Sequence, residues 1–149
     1  MLKHIDPLLT PDLLWVLAAM GHGDDLALVD ANFPAEAVAR ATSSGRLLRL
    51  PGLRMGAVAR AILSVLPLDD FVPDPVRCMQ VVGDPTSVPP VQQEMRDIIR
   101  HAAGPGAALH GLERFAFYEA SRQAFAVVQV GDARSYGDFL FRKGAIAGL

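Results

Sequence analysis

The sequence predicts an α/β domain, because short apolar runs that suit buried strands alternate with segments of helical spacing from one end to the other. Three stretches carry that prediction. "LALV" at residues 26–29 is continuously apolar, as a strand covered on both faces should be. Met55, Val58, Ala59, Ile62, Leu63 and Leu66 recur at helical spacing, and "AFAVVQVG" at 124–131 is the strongest strand pattern in the chain. The expected architecture is a single domain over residues 1–149, with a mixed or largely parallel central sheet covered by helices. No internal repeat and no linker long enough to divide two domains interrupts it.

The elements follow in order. Thr10, Pro11 and Asp12 form a helix start: a capping hydroxyl, a first-turn proline, and an acid at the positive end of the dipole. The helix runs through "DLLWVLAAM" and should stop at Gly21 in a left-handed cap. The strand at 26–29 then places Asp30 at its carboxyl end, and Asn32-Phe33-Pro34 closes it with turn chemistry. Residues 41–52 read as a loop with a brief apolar interruption, and a helix is expected over 53–66. Pro67, Pro73 and Pro75 mark an irregular crossing before a strand "VRCMQVVG" that ends at Gly83. A helix over 90–101 is broken by "GPG". A helix around "LERFAFYEASRQ", the strand "AFAVVQVG", the loop "DARSYGD" and a last strand "FLFRKG" complete the chain.

Composition narrows the function. Fifty-one per cent hydrophobic residues argue against disorder, and 14 basic against 16 acidic side chains, with no Lys/Arg block, argue against nucleic acid as a partner. Cys78 is the single cysteine, so there is no internal disulfide and no thiolate cluster for zinc. The opening "MLKHIDPLLTPDLL" carries Asp6 and Pro7 where a secretory leader is apolar, and the apolar runs fall far short of the roughly 20 residues that cross a bilayer. A soluble protein of the reducing cytoplasm, without a membrane partner, is the expectation.

Four features can carry chemistry. His22 sits between two glycines that let the backbone approach a ligand closely, yet Gly-His-Gly after a helix also serves as a cap and turn. Asp30 stands where sheet topology tends to place ligands, though an Asx-turn opening "DANFP" uses the same residue. A strand of about six residues spans roughly 20 Å, so His22 and Asp30 share a pocket only if the chain folds back or a second subunit intervenes. Arg114 and Tyr118 lie four apart on one helical face among aromatics, where an arginine stem also covers Phe115 or Phe117. "SYGD", residues 135–138, offers hydrogen bonds to a polyol but has the composition of a hairpin turn. His22, Asp24, Asp25, Asp30, His4, His101 and His110 lack the spacing of a metal site, and Gly21-His22-Gly23 lacks the third glycine and the position after a strand that a dinucleotide loop needs.

Taken together, "MLKHIDPLLTPDLLWVLAAMGHGD", "DANFPA", "RFAFYE", "QAFAVVQVGD", "SYG" and "FRKGAI" resemble, in the same order and across nearly the whole chain, the RbsD/FucU sugar mutarotases, above all their fucose branch. Residues 41–52 and 85–109 match poorly. The resemblance implies a mixed α/β fold assembled into rings, commonly homodecamers, with a monosaccharide pocket at the boundary of neighbouring subunits. It implies His22 as proton donor and Asp30 and Arg114 as sugar-binding acid and arginine, with Tyr136 and Gly137 opening a Tyr-Gly-Asn sugar loop. No cofactor or metal is implied. Arginine at 114, where ribose pyranases tend to have histidine, points to L-fucose or a related hexose. Asp138 departs from the pattern, since an ionised aspartate only accepts where asparagine both donates and accepts, and it has Arg114 as a possible ion-pair partner. The expected activity is interconversion of α and β anomers by general acid and base groups. The alternatives are a sugar-binding accessory or regulatory protein without catalysis, and a small metal-dependent lyase.

Overall fold

A six-stranded sheet of order β2-β5-β1-β6-β3-β4 organises the computed structural model, which describes residues 1–148. In chain order the elements are α1 (Pro11–Ala19), β1 (Asp25–Val29), α2 (Ala35–Ala41), β2 (Arg46–Leu50), α3 (Met55–Leu63), β3 (Val76–Met79), α4 (Pro90–Ala103), β4 (His110–Leu112), α5 (Arg114–Arg122), β5 (Ala126–Val130) and β6 (Phe139–Arg142). β6 runs antiparallel to β1 and β3, and all other neighbours are parallel, so the sheet is mixed as the sequence predicts.

β1 lies inside the sheet, and its alternating side chains feed two cores. Leu26 and Leu28 join Leu13, Val16, Met55, Ile62, Met95, Ile99, Phe139 and Phe141 under α1, α3 and α4. Ala27 and Val29 join Val38, Phe117, Val127 and Leu140 under α2 and α5. Burial on both faces explains the unbroken apolar run. No helix among the described residues is long and apolar enough to cross a membrane.

Several expectations are corrected. Thr10 caps α1 as predicted, its side chain accepting from the Leu13 amide, but the helix ends in extended backbone at Met20, not in a left-handed Gly21. The Lys143 ammonium donates to the carbonyls of Leu17 and Met20 at 2.7 and 2.6 Å, which satisfies the helix end with a cation and leaves the left-handed turn to Gly23. Residues 41–52 are not a loop: α2 precedes Thr42, and 46–50 form β2, parallel to β5. β2 is an edge strand whose charged residues at 46 and 49 face solvent, so it lacks the continuous apolar run of the interior strands. The helix expected over 53–66 is shorter, and the strand expected over 76–83 ends at Met79, where pairing with β6 has already stopped. β4, three residues at the other edge, goes unread in the sequence because it is too short to carry a period.

Candidate active site

β5 and β6 are consecutive strands but not neighbours, because β1 lies between them. "SYGD" is therefore not the tip of a hairpin, and the chain from 131 to 138 must cross the carboxyl end of β1. That crossing brings Asp30 against the loop. The Asp30 side chain accepts from the amides of Asn32 at 2.9 Å and Gly137 at 3.3 Å, while the Asp30 amide donates to Asp138 Oδ1 at 3.2 Å. The Asx-turn and the ligand-end position thus coexist in one residue.

Further hydrogen bonds hold this loop and the turn after β1 in place. The Gln129 amide nitrogen donates to the carbonyls of Asp30 and Phe33 at 3.1 and 3.2 Å, and Gln92 Nε2 to those of Met79 and Tyr136 at 2.8 and 3.2 Å. Tyr136 sits at φ 64°, a left-handed conformation costly for a side chain with Cβ, and its phenol accepts from the Val82 amide at 3.2 Å. A Cβ at Gly137 would lie 3.3 Å from the Arg134 carbonyl and 3.4 Å from the Asp30 Cβ, so glycine lets loop and strand end approach.

α5 supplies the other wall. Glu113 caps it by accepting from the amides of Phe115 and Ala116 at 2.9 and 3.2 Å, which sets Arg114 at the first helical position. The guanidinium carbon stands 4.6 Å from the Phe115 ring centroid, so the aromatic-cover reading of this motif also holds, with Phe115 the ring involved. Arg114 Nε is nevertheless buried without a partner. Among the described residues it forms no ion pair with Asp138, contrary to that expectation.

These residues line a cleft of about 240 Å³ with Asp30, Arg114, Tyr118, Ser135, Tyr136 and Asp138 as its polar groups, beside Asn32 and the apolar Phe33, Met79 and Val82. Two acids, one cation, two phenols, a hydroxyl and an amide beside apolar side chains suit a small polyhydroxylated ligand. Five of the six predicted site residues meet at this place: Asp30, Arg114, Tyr136 and Asp138 in the lining, and Gly137 behind it on Asp30. Asn32, Phe33, Met79 and Val82 were missed. They enter only because the strand ends and the turn after β3 converge.

His22 lies elsewhere. It follows α1 at the amino end of β1, with Nε2 3.0 Å from Asp69 Oδ1 and its ring 5.3 Å from that of Phe71. Asp69 is buried at 4% exposure, and its Oδ1 also accepts from the Phe71 amide at 3.1 Å. Burial opposes its charge, but the Phe71 amide, His22 and Arg142 outweigh burial and hold the carboxyl below its ordinary value. A half-exposed imidazole beside a buried carboxylate is oriented for proton transfer, and nothing in the spacing of "PLDDF" announced this partner. Within one chain, the length of β1 keeps His22 out of the cleft.

The sequence matches the RbsD / FucU transport protein family over residues 3–146. The chain belongs to that family. The human fucose mutarotase is 40% identical to this RbsD/FucU protein over 149 residues, covering 98% of this chain and 95% of the relative. The solved fucose mutarotase of Streptococcus pneumoniae in complex with L-fucose superposes with a TM-score of 0.87 at 33% identity, over 98% of this chain and all (100%) of that one. RbsD of Bacillus subtilis, complexed with D-ribose, gives a TM-score of 0.69 at 19% identity over 98% and 99% of the two chains, a likeness of fold alone.

Proposed function

We propose that this RbsD/FucU protein is a mutarotase that interconverts the α and β anomers of L-fucose or a related monosaccharide. The observation that carries the reading is the cleft at the carboxyl end of β1, where Asp30, Arg114, Tyr118, Tyr136 and Asp138 converge. Relatives that bear the name fucose mutarotase, at 40% identity over nearly the whole chain, support the sugar class.

Anomer exchange needs a base for the proton of the anomeric hydroxyl and an acid for the ring oxygen. As C1=O forms, the bond from C1 to the ring oxygen breaks. Rotation about C1–C2 and the reverse transfers close the other anomer, so neither redox agent nor nucleotide takes part. His22 carries the proton to and from the sugar, with Asp69 orienting its ring. Asp30, Arg114, Tyr136 and Asp138 hold the hydroxyls, and Gly137 keeps the loop close enough for them to do so.

Because His22 and the cleft lie at opposite ends of β1, each site takes its imidazole from a neighbouring copy. A contact between two different faces of the same chain is heterologous and forms a ring when its rotation closes, here proposed as part of a homodecamer in the cytoplasm. The His22 face offers exposed Phe71, and the cleft rim offers exposed Val82 and Phe115, apolar side chains suited to such a contact.

Saturation-transfer NMR on L-fucose, galactose and ribose tests the reading. The protein is expected to accelerate exchange of one sugar, and His22→Ala to lose about 10²- to 10⁴-fold of that acceleration while still binding it. Binding without acceleration by either protein would instead identify a sugar-binding accessory protein.

A further inference from the structure

Asp30 and Asp138 are the only acidic side chains among the cleft residues, and both are nearly sealed from solvent, at 3% and 5% exposure. Their hydrogen bonding is unequal. The Asp30 carboxyl receives two backbone amides, from Asn32 and Gly137, whereas Asp138 receives one, from Asp30 itself. Burial raises both carboxyls, but the amides of Asn32 and Gly137 pull Asp30 back down, so of the two acids linked by the Asp30 amide, Asp30 is the better placed to stay ionised.

Among the described residues no cation forms an ion pair with either acid. From α5, Arg114 lines the cleft without an ion pair to either acid, and Tyr118 presents a phenol. In the loop, Arg134 is committed to Asp132, through contacts of 3.0 and 2.7 Å, and to Glu94 of α4 at 2.7 Å. Arg134 holds Asp132 ionised, down to about 2, and that fixed negative charge adds to the repulsion on Asp30. Tyr136 offers a phenol, while β3 and α4 present Met79 and Gln92, neither of which titrates.

We propose that the Asp30–Asp138 pair holds a single proton on Asp138, that the resulting hydroxyl donates a hydrogen bond to a sugar oxygen, and that monosaccharide binding is thereby coupled to proton uptake. The proposal rests on the cleft being the monosaccharide site. A protonated carboxyl supplies the donor that an ionised aspartate lacks, so the residue at 138 selects for an acceptor on the sugar. Burial first, then the negative charge of Asp30, push the Asp138 carboxyl up to about 7, in keeping with a proton held at neutral pH. When the pair is fully ionised, binding takes one proton from solvent onto Asp138.

Calorimetric titration of L-fucose into the full chain from about pH 5.5 to about pH 9, in buffers of differing ionisation enthalpy, reads the coupling directly. Affinity is expected to fall up to about tenfold per pH unit above neutrality, with uptake approaching one proton per sugar. Asp138→Asn, with a permanent amide donor, is expected to show no such fall. A wild-type affinity that does not vary with pH, a fall shared equally by Asp138→Asn, or no L-fucose binding at any pH overturns the proposal. Carboxyl 13C titration of the free wild-type protein gives a reading that needs neither variant nor sugar: one carboxyl still protonated near neutrality is expected, and both ionised throughout overturns it. Exchange rates in the same samples test the mutarotase reading separately, since pH-coupled binding without acceleration would end that reading and leave this one standing.

Discussion

At Asp138 the local chemistry reaches beyond ligand binding into folding. Its carboxyl rises from an ordinary value of 3.8 to about 7, chiefly through burial and then through the charge of Asp30, so the folded chain holds this proton more tightly than the unfolded chain. The resulting stabilisation is complete below the unfolded value and is lost as pH rises through about 7. Asp138→Asn is therefore expected to raise Tm over wild type at about pH 8, with the advantage shrinking toward about pH 5, where both side chains are neutral in the folded chain. Scanning calorimetry checks it, each kcal/mol moving Tm by about 2–4 °C in a chain of this size. Strand-end position and loop composition left Asp30 and Tyr136 open between a ligand role and turn chemistry, and only the family resemblance singles them out for the sugar. Asp69 was not, because its pairing with His22 spans 47 positions of sequence and leaves no local pattern.

Among the elements, α5 bears most directly on the cleft. Its helical spacing brings Arg114 and Tyr118 to one wall, and the Glu113 cap fixes the turn from which Arg114 projects. Glu113→Ala should lower stability by about 1 kcal/mol and weaken L-fucose binding by up to about tenfold, through displacement of Arg114. Glu113→Asp, which retains a capping carboxylate, should recover much of both, as denaturant unfolding and calorimetry would register. The elements best read in the sequence, α1, β1, α4 and β5, carry strong caps, breakers or unbroken apolar runs. Those missed, α2, β2 and β4, are short or lie at the sheet edges, where stability comes from neighbours brought in from afar.

For the whole molecule, the decisive arrangement is the opposition of His22 and the cleft across β1. A site completed between copies predicts complementation: His22→Ala and Arg114→Ala proteins, each inactive alone, should regain activity after dissociation and joint reassembly. Random mixing in a ring leaves about a quarter of the sites with both native residues, so recovery toward that fraction is expected in the exchange assay. If His22 instead served the cleft of its own chain, mixing would restore nothing.

By itself, the sequence determined the local chemistry: the capped start of α1, the apolar run of β1 ending on an acid, the arginine and tyrosine on one face of α5, and the Tyr-Gly-Asp loop. The tertiary structure alone decided that β6 inserts next to β1 on the side away from β5, that the loop consequently crosses Asp30, and that Asp69 meets His22. Strand order and pairing join segments far apart in the chain through backbone hydrogen bonds common to every residue type. Side-chain spacing therefore records which face of a strand is buried, but not which strand will lie beside it.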